Sequence, residues 1–67
     1  MPIIIYESKY RIKKTVTQLV KYFGNKDVLI GRELTKKFEE YIRGRLKEIN
    51  ISAIKEKGEF VIVINNH

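Results

Sequence analysis

Apolar residues fall along this chain in two kinds of pattern, short unbroken runs and one long periodic stripe. Ile3, Ile4 and Ile5 followed by Tyr6 form a β-branched run too brief for a helix, which predicts a buried strand. Ile12, Val16, Leu19, Val20 and Phe23 then recur at i, i+4, i+7, i+8 and i+11, while Lys13, Lys14, Gln18 and Lys21 take the opposite face. This spacing predicts an amphipathic helix over residues 9–23, with the Ser8 hydroxyl as N-cap and Gly24 with Asn25 as the stop. Val28, Leu29 and Ile30 predict a second strand. A strand, a helix and a strand at this spacing predict two parallel strands, adjacent or one place apart, joined by a right-handed crossover. The apolar run over 60–64 predicts a central strand, with Asn65, Asn66 and His67 as an exposed end.

The stretch between the second and last strands supports two readings. Leu34, Phe38, Tyr41, Ile42, Arg45, Leu46 and Ile49 recur at helical spacing and would draw one helix over 33–49. Against it stands Gly44, because a glycine inside a helix costs up to about 1 kcal/mol relative to alanine. The rival reading breaks the chain at 35–37 and makes 38–43 a strand hairpinned to the one before. Beyond it, Asn50 is a candidate N-cap for a short second helix through Ile51, Ala53 and Ile54, ended by Lys57 and Gly58.

The segment 31–44 is also where charge gathers: Arg32, Lys36, Lys37 and Arg43 with Glu33, Glu39 and Glu40 lie between two glycines. A solvated face is the simplest account of such a run. A functional surface is the other, since apolar strands on both sides would present these side chains rather than bury them.

Sixty-seven residues make one domain, 1–67, and at this size only about 60% of the unfolded chain's surface is buried on folding. With no cysteine and a single histidine at position 67, the chain lacks a disulfide framework, a thiolate metal site and a nucleophile paired with a base, so catalysis by this chain alone is not expected and no metal is expected. Glu39 and Glu40 are no catalytic dyad: neighbours on a strand point to opposite faces, and on a helix they diverge by about 100°. The four glycines are isolated, so no phosphate-cradling loop is present. Fourteen Lys and Arg against eight Asp and Glu leave a formal charge of +6, which favours an acidic partner, nucleic acid before membrane. No run approaches membrane-spanning length, and 2–6 is a short apolar run without a basic segment before it, so no export signal is expected. The expected location is the cytoplasm, in keeping with the absence of cysteine.

Polar residues cluster where the first two strands should end: Tyr6, Glu7, Ser8 and Arg11 after one, Arg32, Glu33 and Lys36 after the other. In α/β units such ends bind ligands. The simpler account of Glu7 and Arg11 is a surface ion pair worth under about 1 kcal/mol.

Three blocks then carry a resemblance that covers nearly the whole chain: YESKYR at 6–11, GRELTKKFEEYIRG at 31–44 and KGEFVIVI at 57–64. In that order they resemble the carboxyl-terminal half of the ribosomal RNA small subunit methyltransferase I family, within the tetrapyrrole methylase superfamily, whose usual wording is close to YESPHR, ARELTKxxEExxRG and KGEFVLVIEG. Here Lys9 and Tyr10 replace Pro and His, Gly31 replaces Ala, and Asn65 and Asn66 stand where an acidic residue and glycine are common. The segment between Gly44 and Lys57 is shorter than usual, which predicts a reduced second helix.

The resemblance implies an α+β fold, β-α-β-β-α-β with a mixed sheet and helices on the sheet faces, and it favours the hairpin over the long helix. It implies an S-adenosylmethionine-dependent enzyme, acting as a dimer, that methylates the 2'-hydroxyl of a cytidine in 16S ribosomal RNA. The glycine-rich cofactor loop of that family belongs to an amino-terminal half that this chain does not contain. By the same likeness Ser8, Glu33 and Leu34 would contribute to one wall of the cofactor cleft, and Arg11, Arg32, Lys36 and Arg43 would face RNA. The implied partners are ribosomal RNA and either an amino-terminal methyltransferase half or a second copy of the chain. Arg32, Lys36 or Arg43 could instead be the structural partner of Glu33 or Glu40. The reading from another class is a free-standing basic module that binds RNA or dimerises without catalysis; the element order is also that of a ferredoxin-like fold, although the aromatic stacking signature of RNA binders is missing from the central strands.

Overall fold

A computed structural model describes residues 2–34 and 37–65 of the chain. Four strands and one helix are found among them: β1 (Pro2–Ser8), α1 (Ile12–Phe23), β2 (Asp27–Leu34), β3 (Lys37–Arg45) and β4 (Glu59–Asn65), with two single turns of 3-10 helix, Leu46–Glu48 and Ile51–Ala53, between β3 and β4. The α+β class follows from one helix laid on one face of a four-stranded sheet.

The helix forms on the stripe read from the sequence. Ile12, Val16 and Leu19 are buried, with Val20 and Phe23 packed beside them. Its start differs from expectation. Ser8 is not the cap, because its backbone is the last residue of β1 and lies opposite Glu59 in β4. The chain must turn from the sheet up to the helical layer, and it does so over 9–11, where the Arg11 amide donates to the Ser8 carbonyl at 3.1 Å. Arg11 is the N-cap residue, without a side-chain hydrogen bond. Gly24 ends the helix as expected: it adopts φ 70° and its amide reaches the Val20 carbonyl at 3.0 Å.

The sheet runs in the order β1-β4-β2-β3, and every hydrogen-bonded pair is antiparallel. β1 and β2 point the same way, one place apart, as the strand-helix-strand spacing predicts. The expected mixed sheet is not formed, because β4 inserts between these two strands and runs against both. The segment over 31–45 is a hairpin and not a helix: β2 and β3 pair from Asp27 opposite Arg45 to Leu34 opposite Lys37, with a register irregularity at Arg32 and Glu33. Helical spacing persists there because residues on β3 and on the following turn reach the same core from two kinds of element. Ile42 and Leu46 both pack on the core, one from a strand and one from a turn.

The expected second helix is also replaced. Asn50 is the N-cap residue, but of a single 3-10 turn, Ile51–Ala53, and without a side-chain cap bond: its carbonyl accepts from the Ala53 amide at 3.0 Å, its Oδ1 accepts from the Ser52 hydroxyl at 2.7 Å, and the chain is extended at Ile49, Asn50 and Ile54. Too few residues separate Gly44 from Lys57 for a longer helix to return to β4. The connection is instead sewn to the turn after α1, where the Leu46 amide donates to the Lys26 carbonyl at 2.9 Å and the Lys47 amide to Asn25 Oδ1 at 3.0 Å. Leu46 and Ile54 supply the buried side chains a helix would have given. At Gly44, on the covered face, a β-carbon would sit 3.6 Å from Ile49 Cδ1, so the short connection lies close over β3.

Val28, Ile30, Phe60, Ile62 and Ile64 form the sheet side of the core. All of them point toward α1. β1 is not the buried strand expected from its sequence: it is an edge, with Ile3 and Ile5 facing the helix and Ile4 and Tyr6 on the other side, 57% and 81% exposed.

Candidate functional site

Strand alternation sorts the remaining side chains onto the sheet face that no helix covers. The registers align them in rows: Ile4, Val63, Leu29 and Arg43 in one, Tyr6, Val61, Gly31 and Tyr41 in the next, and Ser8, Glu59 and Glu33 in the third. The open face is therefore apolar in the middle and polar at the end where β1 and β2 finish.

Two of the three residues expected at a cofactor, Ser8 and Glu33, stand in that third row without touching. Ser8 and Glu33 flank Glu59, each one strand away, so roughly 10 Å separates their backbones. Leu34 follows at the end of β2, opposite Lys37. Tyr6, Glu33, Glu59, Phe60 and Val61 line a recess of about 270 Å³. This is just below the size of a site for a drug-like molecule, roughly 300–1,000 Å³. It is open on one side rather than enclosed. Among the described residues, no hydrogen bond or ion pair engages the Glu33 or Glu59 carboxylate. Like charges directly opposite on paired strands repel. Their position suits a cationic group on the ligand side.

The main chain at Ser8 is already occupied. Its amide donates to Glu7 Oε1 at 2.9 Å and its carbonyl accepts from Arg11, so the hydroxyl is what Ser8 offers. Glu7 faces the helix, where the Thr15 hydroxyl donates to Oε2 at 2.5 Å. The Thr15 hydrogen bond, then the Ser8 amide, hold the Glu7 carboxyl below its ordinary value of 4.5 despite some desolvation, and the Arg11 charge adds least. The anticipated Glu7–Arg11 ion pair is thus mainly a clamp from strand to helix. Sequence spacing points to Arg11 because it lies one turn from Glu7, whereas Thr15 comes into reach only once 9–11 turns.

The four cations expected to face RNA do not converge. Arg11 is exposed in the turn beyond β1, and Arg43 is exposed on β3 at the opposite edge of the sheet. Lys36 lies outside the described residues. Arg32 is 8% exposed on the helix-covered face, with Nε 3.4 Å from Glu40 Oε1, which gives it the structural partner weighed from the sequence. Sequence reasoning placed Tyr6 among the polar residues at a strand end but did not find Glu59 and Val61 as site neighbours. Unbroken apolar runs conceal which alternate residues face out, and only the strand register brings these three beside Glu33.

A second recess, of about 500 Å³, lies at the other end of the sheet and is lined by Asp27, Val28, Leu29, Arg43, Gly44, Val63 and Asn65. No helix among the described residues is long and apolar enough to cross a membrane.

Comparison with known proteins points one way. No family model matches the chain. The chain is 45% identical over 64 residues to a Streptococcus pyogenes protein named ribosomal RNA small subunit methyltransferase I, an alignment covering 91% of this chain and 22% of that protein. Proteins of the same name from Bacillus subtilis, 39% identical over 64 residues, and Mycoplasma genitalium, 42% identical over 64 residues, match 92% and 96% of the chain. The chain thus matches the carboxyl-terminal region of these methyltransferases and spans less than a quarter of their length.

Proposed function

We propose that this chain is the carboxyl-terminal subdomain of an S-adenosylmethionine-dependent methyltransferase acting on a cytidine 2'-hydroxyl of 16S ribosomal RNA in the cytoplasm, and that it contributes one wall of the cofactor cleft. The observation that carries this reading is the alignment of Ser8 and Glu33, from two separate sequence blocks shared with that family, in one row on either side of Glu59, beside a recess that Glu33 and Glu59 line. Bound there, the cofactor would supply a methyl group from a cationic sulfur. The Ser8 hydroxyl, the end of β2 at Glu33 and Leu34, and the Glu59 carboxylate would hold and orient its polar end, while Tyr6 and Val61 keep one side dry. Arg11, Arg43 and Lys36 would meet phosphate; Arg32 would not, since its guanidinium is committed to Glu40.

One wall does not make a binding site, because affinity requires donors converging from both sides of a cleft. The test is titration calorimetry with S-adenosylmethionine, first on the chain alone and then on the chain mixed with the preceding region of the Bacillus subtilis relative. Negligible heat alone and micromolar affinity in the mixture are expected. Micromolar binding by the chain alone would overturn the one-wall reading, and no binding in the mixture would overturn the cofactor role.

The free-standing RNA module is less well supported by the strand order. In a ferredoxin-like sheet the first and third strands are central, whereas here β4 and β2 are central and the exposed tyrosines, Tyr6 and Tyr41, sit on the edges.

A further inference from the structure

Net charge is not spread evenly over this molecule. Residues 9–26, which are α1 with the turns at its two ends, contain six of the fourteen Lys and Arg and no Asp or Glu, so this segment accounts for the whole formal charge of +6. Elsewhere the two signs balance, eight against eight. Lys13 is tied to Glu56 at 3.0 Å, in the connection to β4. Lys14 and Lys21 are exposed, and among the described residues no ion pair engages either.

Helix geometry sets these two cations on one side. Lys14, Gln18, Lys21 and Tyr22 repeat the i, i+4, i+7, i+8 spacing of the buried stripe Ile12, Val16, Leu19 and Val20 two residues later, which turns them about 200° around the axis. They therefore point away from the sheet, and all four are exposed, Tyr22 by 85%. Lys14 and Lys21 lie about 10 Å apart along the axis. Lys9 and Arg11 extend the same positive field from the turn before α1. This face is a surface in a longer chain as well, because burying unpaired lysines against another part of the protein would be costly.

We propose that the outer face of α1 binds the phosphate backbone of duplex RNA. The choice of RNA rests on the ribosomal RNA reading above; the choice of a duplex rests on shape. A single strand is held by stacking its bases on aromatic platforms in a cationic groove, and both recesses of this molecule are lined by strand residues. The outer face of α1 is convex and fixed, with its lysines on a rigid helix and Gln18 and Tyr22 beside them able to donate to phosphate or sugar oxygens. Such a surface recognises an A-form helix by backbone and shape, without reading base sequence. A membrane surface is the poorer match, because the apolar face of α1 that would enter lipid is buried in the core. A duplex on α1 leaves the open sheet face and Arg43 clear for the strand that carries the target.

The experiment is fluorescence anisotropy of a labelled duplex RNA of about 16 base pairs, titrated with the chain at several salt concentrations, beside a single strand of the same length and vesicles of phosphatidylcholine with phosphatidylserine. Lys14→Ala and Lys21→Ala should each lower the salt slope for the duplex by roughly 0.9, the value for one phosphate of a double helix, and together by roughly twice that. Arg43→Ala, on the other side of the sheet, should leave the duplex slope unchanged, and the two lysine variants should barely alter single-strand binding. Circular dichroism spectra and melting temperatures should match those of the unaltered chain, because both side chains are exposed. Duplex binding that falls equally with Lys14→Ala, Lys21→Ala and Arg43→Ala would reduce the effect to unlocalised charge and overturn the proposal. Binding to vesicles or to the single strand, but not to the duplex, would overturn it too; the single-strand result would keep the ribosomal RNA reading while removing this face from it. Cofactor affinity is read separately, so failure here leaves the one-wall reading untouched.

Discussion

Replacing Arg32 separates a folding role from an RNA role. Arg32 is almost fully buried, with its stem on the face covered by α1 and its guanidinium against Glu40, whose side chain is 38% exposed. Removing one partner of a fully buried pair costs about 3–5 kcal/mol, whereas an exposed pair is worth about 0–1 kcal/mol. Here the surviving carboxylate can turn to water, which lowers the first figure. The lost stem packing restores part of it. Arg32→Ala should therefore cost roughly 2 kcal/mol, which in a domain of this size lowers the melting temperature by roughly 8–16 °C. Arg32→Met keeps the stem and should lose about half as much; Glu40→Gln, which leaves the buried cation with a neutral acceptor, should lie between the two. Thermal unfolding of the three variants and RNA affinity of the folded fraction are the assays. If Arg32→Ala changed stability by less than about 0.5 kcal/mol while sharply weakening RNA binding, the burial argument would be refuted and Arg32 returned to the RNA surface.

Other consequences are open to simpler measurements. Glu7 has a lowered folded-state pKa, so its stabilising contribution is present above the ordinary value of 4.5 and is lost as pH falls through the lowered one. Urea midpoints measured from about pH 7 to about pH 3 should fall less for Glu7→Gln than for the unaltered chain; an identical acid limb would show that Glu7 is not clamped. Arg11→Ala and Arg43→Ala should each reduce the salt slope of single-stranded RNA binding by roughly 0.7, with stability within about 0.5 kcal/mol. Lys13→Ala and Lys21→Ala on α1 are the controls, and equal small losses at all four positions would reduce the effect to non-specific charge.

How much of this was legible in the sequence depends on how many layers each segment serves. The helix was readable because one stripe meets one surface, and only its start moved, since no local signal says that Ser8 is claimed by β4. The hairpin at 31–45 was not decided by periodicity. Ile42 on a strand and Leu46 on a turn reach the same core, and their spacing imitates a helix; the sequence blocks shared with a family resolved it. β1 and β4 look equally apolar in sequence, yet one is an edge and the other a centre, because alternation carries no information when every position is apolar. The same ambiguity hid the open face, and with it the recess beside Glu33. Arg32 and Arg43 illustrate the limit for charged residues: both lie in one cationic stretch, and the hairpin register, which sets Arg32 opposite Glu40 and Arg43 opposite Leu29, sends them to opposite sides of the sheet.

The position of β4 has a consequence for the order of assembly. Among the described residues, β1 and the β2–β3 hairpin share no hydrogen-bonded strand pair, and β4 joins them into one sheet. During synthesis the hairpin and α1 can form early, but the halves of the sheet cannot be joined until 59–65 have left the ribosome. Contacts between the first and last strands span almost the whole sequence, which places their loop-closure cost late and makes folding slower than the small size would suggest. A protease that trimmed the chain before residue 59 would not shorten the sheet by one strand. It would divide it into a lone strand and a hairpin.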